Sequence, residues 1–201
     1  MVDVDEIRTK LGKHFIIKGT FYIDPQTGRA DVNGGVELIT PMAKMPVQFG
    51  HVSGKFSCSE SGLESLEGCP QTVVNSFSCS KNRLTTLVGG PSTVGGGFWC
   101  ANNYLSSLEG APDYVVGILQ CDGNPLKSLN GLPSVLKGGI WLEYSPTLPL
   151  LRLLDLTGFM ISYSPDAVKD ILNKYKGQGK PGALKAAAEL VRAGYKDNAR
   201  W

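Results

Sequence analysis

Apolar and polar positions along the chain return in register every 21 residues. Phe56, Phe77, Phe98, Leu119 and Ile140 head five successive units, and Cys58, Cys79, Cys100, Cys121 and Leu142 follow two places later. Ser61, Asn82, Asn103, Asn124 and Ser145 come next in phase, then a leucine column from Leu63 to Leu126 and another from Leu66 to Leu150. Gly68, Gly89, Gly110 and Gly131 each precede a proline by two residues. Residues two apart on a strand share a face, so Phe77 and Cys79 point inward while Ser78 and Ser80 point out. Units stacked about 4.8 Å apart turn each apolar column into a ladder that no single unit could bury alone. The pattern predicts an α/β solenoid, a parallel β stack of five to six units over residues 35–148. A 21-residue unit leaves little room for a helix on its far side, where extended backbone is expected.

The period fades at both ends. "VNGGVEL" (32–38) repeats "VSGKFSC" (52–58), with Met42 and Met45 in leucine slots, so a degenerate unit begins there. Before it, residues 1–34 read as an N-terminal β cap: a short amphipathic helix near 3–12, then two strands around the turn signal Pro25-Gln26-Thr27-Gly28. Residues 149–201 read as a helical C-terminal cap. One or two helical turns at 149–156 precede a last strand at 158–164 and a helix opening at Ser164-Pro165-Asp166. The linker "GQGKPG" then breaks the chain before a second helix at about 183–193, which Gly194 ends.

The repeat "FSCSKNRL" resembles the leucine-rich-repeat core, with Phe and Cys in the first two apolar slots, and its period falls in that family's range of about 20 to 29 residues. The "LxxLxGxP" tail further resembles short repeat proteins encoded by bacteriophages. The strict repeats cover about half of the chain, with Ser61 and Ser145 replacing Asn at the ends. The resemblance implies that the Asn side chain bonds backbone groups of adjacent turns. It also implies an accessory protein, made in an infected bacterium, that binds and blocks a host protein such as a defence factor.

Composition narrows this little. The 201 residues are 42% hydrophobic, enough for a buried core, and the formal charge of +2 implies no wholesale nucleic-acid or membrane-surface binder. No signal peptide is read at the N-terminus, and the longest apolar cluster, 147–161, is interrupted by Arg152 and Asp155 and is shorter than the roughly 18 residues of a span, so a cytoplasmic protein is expected. Four cysteines stacked in a line have the wrong shape for a tetrahedral metal site and serve as small apolar fillers, as does Cys69 in a slot held elsewhere by Gly90, Ala111 and Leu132. His14 and His51 lack a nucleophile motif, Glu64, Glu67 and Glu109 fall on solvated repeat positions, and "KYKGQGKPG" lacks phosphate-loop spacing. No enzyme, metal or cofactor is expected.

The outward positions carry the functional expectation. Between the buried columns they run Ser57, Ser78, Trp99, Gln120, Trp141, then Ser59, Ser80, Ala101, Asp122, Glu143. Two tryptophans stand where the stack requires none, and Trp is a frequent interface anchor. Trp99, Gln120, Asp122, Trp141, Glu143 and Tyr144 are therefore the expected partner-binding residues on a concave sheet, unless the C-terminal cap folds back over Trp141 or "WLEY" simply packs against "GFMIS". The expected function is a non-enzymatic interaction module. From Leu150 onward nine Lys and Arg face five Asp and Glu, so Lys174, Lys176 and Lys180 are candidate contacts for a phosphate or acidic partner. The alternative is thus a nucleic-acid or nucleotide binder that uses this basic region with the tryptophans as stacking platforms. Hydrolysis is the third reading.

Overall fold

The chain opens with helix α1 (Val4–His14), whose N-terminus is capped by Asp3 accepting a hydrogen bond from the N–H of Glu6 at 2.9 Å. Strands β1 (Phe15–Ile23) and β2 (Arg29–Leu38) follow as an antiparallel hairpin, closed by Asp24 bonding Gln26 and Thr27 in the turn. The computed structural model, which describes residues 2–201, then winds into a parallel β-solenoid of about six turns. Each turn contributes two short strands: β3 (Gln48–Val52) and β4 (Phe56–Ser57), β5 (Thr72–Val73) and β6 (Phe77–Ser78), β7 (Thr93–Val94) and β8 (Phe98–Trp99). β9 (Tyr114–Val115) and β10 (Leu119–Gln120), then β11 (Val135–Leu136) and β12 (Ile140–Glu143), continue the series. A 3₁₀ helix at Leu151–Asp155 leads to β13 (Phe159–Ser162), and helices α2 (Asp166–Tyr175) and α3 (Gly179–Arg192) complete the fold.

Two ladders result. The front ladder runs β2-β4-β6-β8-β10-β12-β13 and the back ladder β2-β3-β5-β7-β9-β11, so β2 belongs to both. Its first half pairs β3 and its second half pairs β4. The hairpin bends between these halves at Gly19 and Gly34, with φ of +138° and +145°. A Cβ on either would collide with the opposing carbonyl, that of Asn33 or Lys18, so only glycine fits. The far side is extended, as the unit length requires, but it is also paired: Val52, Val73, Val94, Val115 and Leu136 form a second buried column.

Between the ladders lies one core. Phe56, Phe77 and Phe98 stack at centroid distances of 5.5 and 5.4 Å, and Phe49 and Phe15 extend the column edge-on. Burying each ring contributes about 1.5–3 kcal/mol. The leucine columns lie in irregular backbone that is bonded from turn to turn, Arg83 N–H to Leu63 and Tyr104 N–H to Leu84, each at 2.8 Å.

The expected boundaries shift. β2 continues through residue 34 to Leu38, and β13 pairs β12 in register, Ile140 opposite Phe159, so the sheet extends past 148 into the C-terminal segment. α3 starts at Gly179, four residues before the expected 183, and takes Pro181 and Gly182 into its first turn. The N–H groups of a first turn have no intrahelical acceptor, so a proline there costs no bond.

Candidate interaction face

Each front strand alternates a buried side chain with one pointing away from the core, and parallel register aligns the outward ones across the ladder. Pairing sets Glu37, Ser57, Ser78, Trp99, Gln120, Trp141 and Met160 in one row. Trp99, Gln120 and Trp141 are thus brought together as expected, and the row gains Met160, which is 56% exposed. Sequence periodicity missed Met160 because the interval from Ile140 to Phe159 shortens to 19 residues.

The tryptophans are half-buried, not free-standing. Trp99 lies against Gly97 and holds the Lys55 ammonium 5.2 Å from its ring centroid, two turns toward the N-terminus. Trp141 donates its indole N–H to Ser162 Oγ at 2.8 Å, so "WLEY" does pack on "GFMIS" through that bond while the side chain stays half-buried. Gln120 donates to Asp122 Oδ1 at 2.9 Å, and the exposed Glu143 accepts from the N–H of Gly123 at 3.3 Å, which gives the row an acidic border. Tyr144 leaves this face: it packs on the core and donates to Asn198 Oδ1 at 3.0 Å. It belongs to the anchoring of the C-terminal segment.

The three lysines do not converge. Lys174 pairs with Glu189 at 2.7 Å, and Tyr175 donates to the same oxygen at 2.6 Å. Those bonds raise the pKa of Lys174 and lower that of Glu189. Lys176 sits 5.5 Å over the Phe159 ring, and Lys180 lines a separate cleft beside α3.

A polar column follows the front strands and ties each turn to the one before it. Asn82 donates its Nδ2 to the carbonyls of Cys58 and Cys79, both at 2.9 Å, and its Oδ1 accepts from Leu63 at 2.9 Å and Ser61 at 3.2 Å. Asn103 and Asn124 repeat the two donated bonds and the bond accepted from a leucine N–H one and two turns on. The residue before each slot turns the chain through a left-handed conformation, Glu60, Lys81, Asn102 and Gly123 having φ of 59°, 58°, 56° and 66°. Where Ser145 breaks the series, Asn198 enters from the C-terminal tail and donates to the carbonyls of Ser145 at 3.0 Å and Leu148 at 2.9 Å.

The cysteines complete the core. All five are buried and unpaired by disulfide, and Cys58, Cys100 and Cys121 donate weakly to the carbonyl of the next turn at 3.4–3.5 Å. Burial pushes the thiols of Cys69, Cys79, Cys100 and Cys121 well above the usual range. Among the described residues, no group of three His, Cys, Asp or Glu is placed to hold a metal ion. His14 Nδ1 bonds the Thr40 hydroxyl at 2.8 Å, and beside His51 the Asp31 carboxylate accepts from the backbone N–H of His51 at 2.7 Å. No helix is long and apolar enough to cross a membrane among the described residues.

No family model matches the chain, and no curated protein or solved structure is detectably similar to it.

Proposed function

We propose that this protein is a non-enzymatic, leucine-rich-repeat-like interaction module whose front ladder takes a protein partner. The observation that carries the reading is the outward row Trp99, Gln120, Trp141 and Met160, placed in register on a sheet whose backbone is bonded on both sides under the first three, with Met160 on the edge strand β13. Binding to such a pre-organised face loses little conformational entropy, and aromatic residues with Met are enriched at interface centres. Asp122 and Glu143 form an acidic border, which favours a partner with basic residues around an apolar centre. The resemblance of the repeats to phage-encoded proteins supports a bacterial host protein as that partner, a defence factor being the class such proteins would block.

A nucleic-acid reading has weaker support. Lys174 is held by Glu189, and the tryptophan row is bordered by carboxylates that would repel phosphates. The test is affinity capture from bacterial lysate with wild type beside the double variant Trp99→Ala, Met160→Glu, each first shown to be folded by circular dichroism. Capture of one protein by wild type and its loss from the variant supports the reading. Capture of the same proteins by both removes this face from consideration.

A further inference from the structure

We propose that the outer surface of α3 and the cleft beside it dock an acidic amphipathic helix of a partner protein, a second site separate from the front ladder. A helix packed on a core normally buries one apolar stripe and shows polar residues opposite. α3 buries Gly182, Ala183, Ala186 and Leu190 in that way. Yet Leu184, Ala188 and Val191, at i, i+4 and i+7, form a second apolar stripe in solvent, with Leu184 66% and Val191 51% exposed. Beside it opens a cleft of about 520 Å³, with Ala183, Ala187 and Leu151 along its floor and Leu184 and Trp201 among its walls. Trp201 is itself 60% exposed.

The small residues and the cleft fix the shape of the occupant. Ala187 and Ala188 allow a second helix to approach to about 8–10 Å, and the cleft receives one of its large apolar side chains as a knob. Charge fixes the rest. At 100° per residue Lys185 and Arg192 run along one border of the stripe, and Lys180 stands at its N-terminal end. None of the three forms an ion pair among the described residues; Glu189, on the same flank as Lys185 and Arg192, is already bonded to Lys174 and Tyr175, so the frame keeps an excess of positive charge. Asp155 is the one acidic side chain lining the cleft. A second copy of this chain, packed antiparallel through the same stripe, would bring Lys185 of one copy against Arg192 of the other. A lipid surface would leave the concave cleft unfilled. A helix with leucines along one face and carboxylates on its flanks satisfies both the groove and its frame.

The experiment titrates the full chain into a fluorescein-labelled peptide about four turns long, with Leu on one face and Glu elsewhere, and into a twin with Lys in place of every Glu, reading anisotropy at low and high salt. Expected are a dissociation constant of about 10–100 µM for the acidic peptide, at least about tenfold weaker binding of the twin, and weakening with salt. Leu184→Asp and, separately, the charge reversal Lys185→Glu with Arg192→Glu should each weaken the acidic peptide by about tenfold or more. Both sets of positions are exposed, and circular dichroism confirms that the variants fold. Four results would overturn the proposal: neither peptide binds, both bind equally, Leu184→Asp binds like wild type, or the chain sediments as a dimer that Leu184→Asp dissociates. Leu184-dependent binding to phosphatidylglycerol vesicles, without binding of the acidic peptide, would likewise replace a partner helix by a membrane. Front-ladder capture by Leu184→Asp separates failure here from failure of the front-face reading.

Discussion

Asn82 closes bonds to two turns at once, and at 7% exposure it has little water to fall back on. Replacing it with Ala leaves the N–H of Leu63 and the carbonyls of Cys58 and Cys79 without these partners inside the stack. Each orphaned group costs about 1–3 kcal/mol, so Asn82→Ala should destabilise by about 3 kcal/mol or more in urea titration, and a loss below about 1 kcal/mol would deny the column its role. The cysteines carry the opposite message. All five are shut away from solvent, and burial also disfavours the thiolates of Cys69, Cys79, Cys100 and Cys121, so a disulfide reagent at mildly alkaline pH should label none of the five in the native protein and all five after unfolding. Rapid native labelling of Cys79 or Cys100 would mean that the core opens. The packing role of the cysteines was legible from spacing, because a column that recurs every 21 residues states its own environment, whereas the bonding role of the Asn column followed only from the resemblance to leucine-rich repeats. The packing of "WLEY" on "GFMIS" was legible only as one of three options and the bond from Trp141 to Ser162 not at all, since the pairing of β12 with β13 depends on a turn that departs from the period.

Elements outside the period were read less completely, for a physical reason. α3 begins at Gly179 because tertiary burial of Gly182 and Ala183 outweighs the local signal of Gly-Lys-Pro-Gly. Asn198 left no trace, since a lone Asn among charged tail residues looks like solvated chain. In the fold it is fully buried, and Leu150 N–H bonds its carbonyl at 3.1 Å while Arg200 donates to Thr147 at 2.8 Å. Asn198→Ala should therefore raise hydrogen exchange across residues 145–151 and the tail together while leaving the turn at Asn82 protected. Unchanged exchange at 145–151 would count against this strap. The α2–α3 contact has its own pH window. Glu189 is depressed, so its stabilisation holds above the ordinary carboxylate range and fades as pH falls through its lowered value; Lys174 is raised, so its share fades only as pH rises through its own. Acidification should speed exchange in Lys174 and Tyr175 in wild type, and Glu189→Gln should remove most of that dependence on the acid side.

At the scale of the molecule, stability is a sum of turns and of the interfaces between them, and the two ends differ. At the N-terminal end β1 pairs along the whole of β2, which feeds both ladders, and Phe15 and Phe49 join the aromatic column. At the other end the front ladder stops on β13. In every earlier turn the N–H groups of the Phe and Cys slots donate to the next turn, as Phe77 does to Gly97 at 3.0 Å and Cys79 to Trp99 at 2.8 Å. The matching groups in β13 belong to Phe159 and Ile161, and among the described residues no further strand pairs with them. Opening should start there and propagate toward the hairpin, so native-state exchange is expected to grade along the front ladder, slowest at Phe77 and Phe98 and fastest at Phe159 and Ile161. Phe98→Ala, which removes a stacked ring in mid-column, should cost about 3–5 kcal/mol, whereas Phe159→Ala, only half-buried, should cost less and speed exchange mainly in β12 and β13. Equal protection of all turns, with both variants slowing or speeding exchange uniformly, would mean that the stack opens as one unit and that its ends are energetically alike.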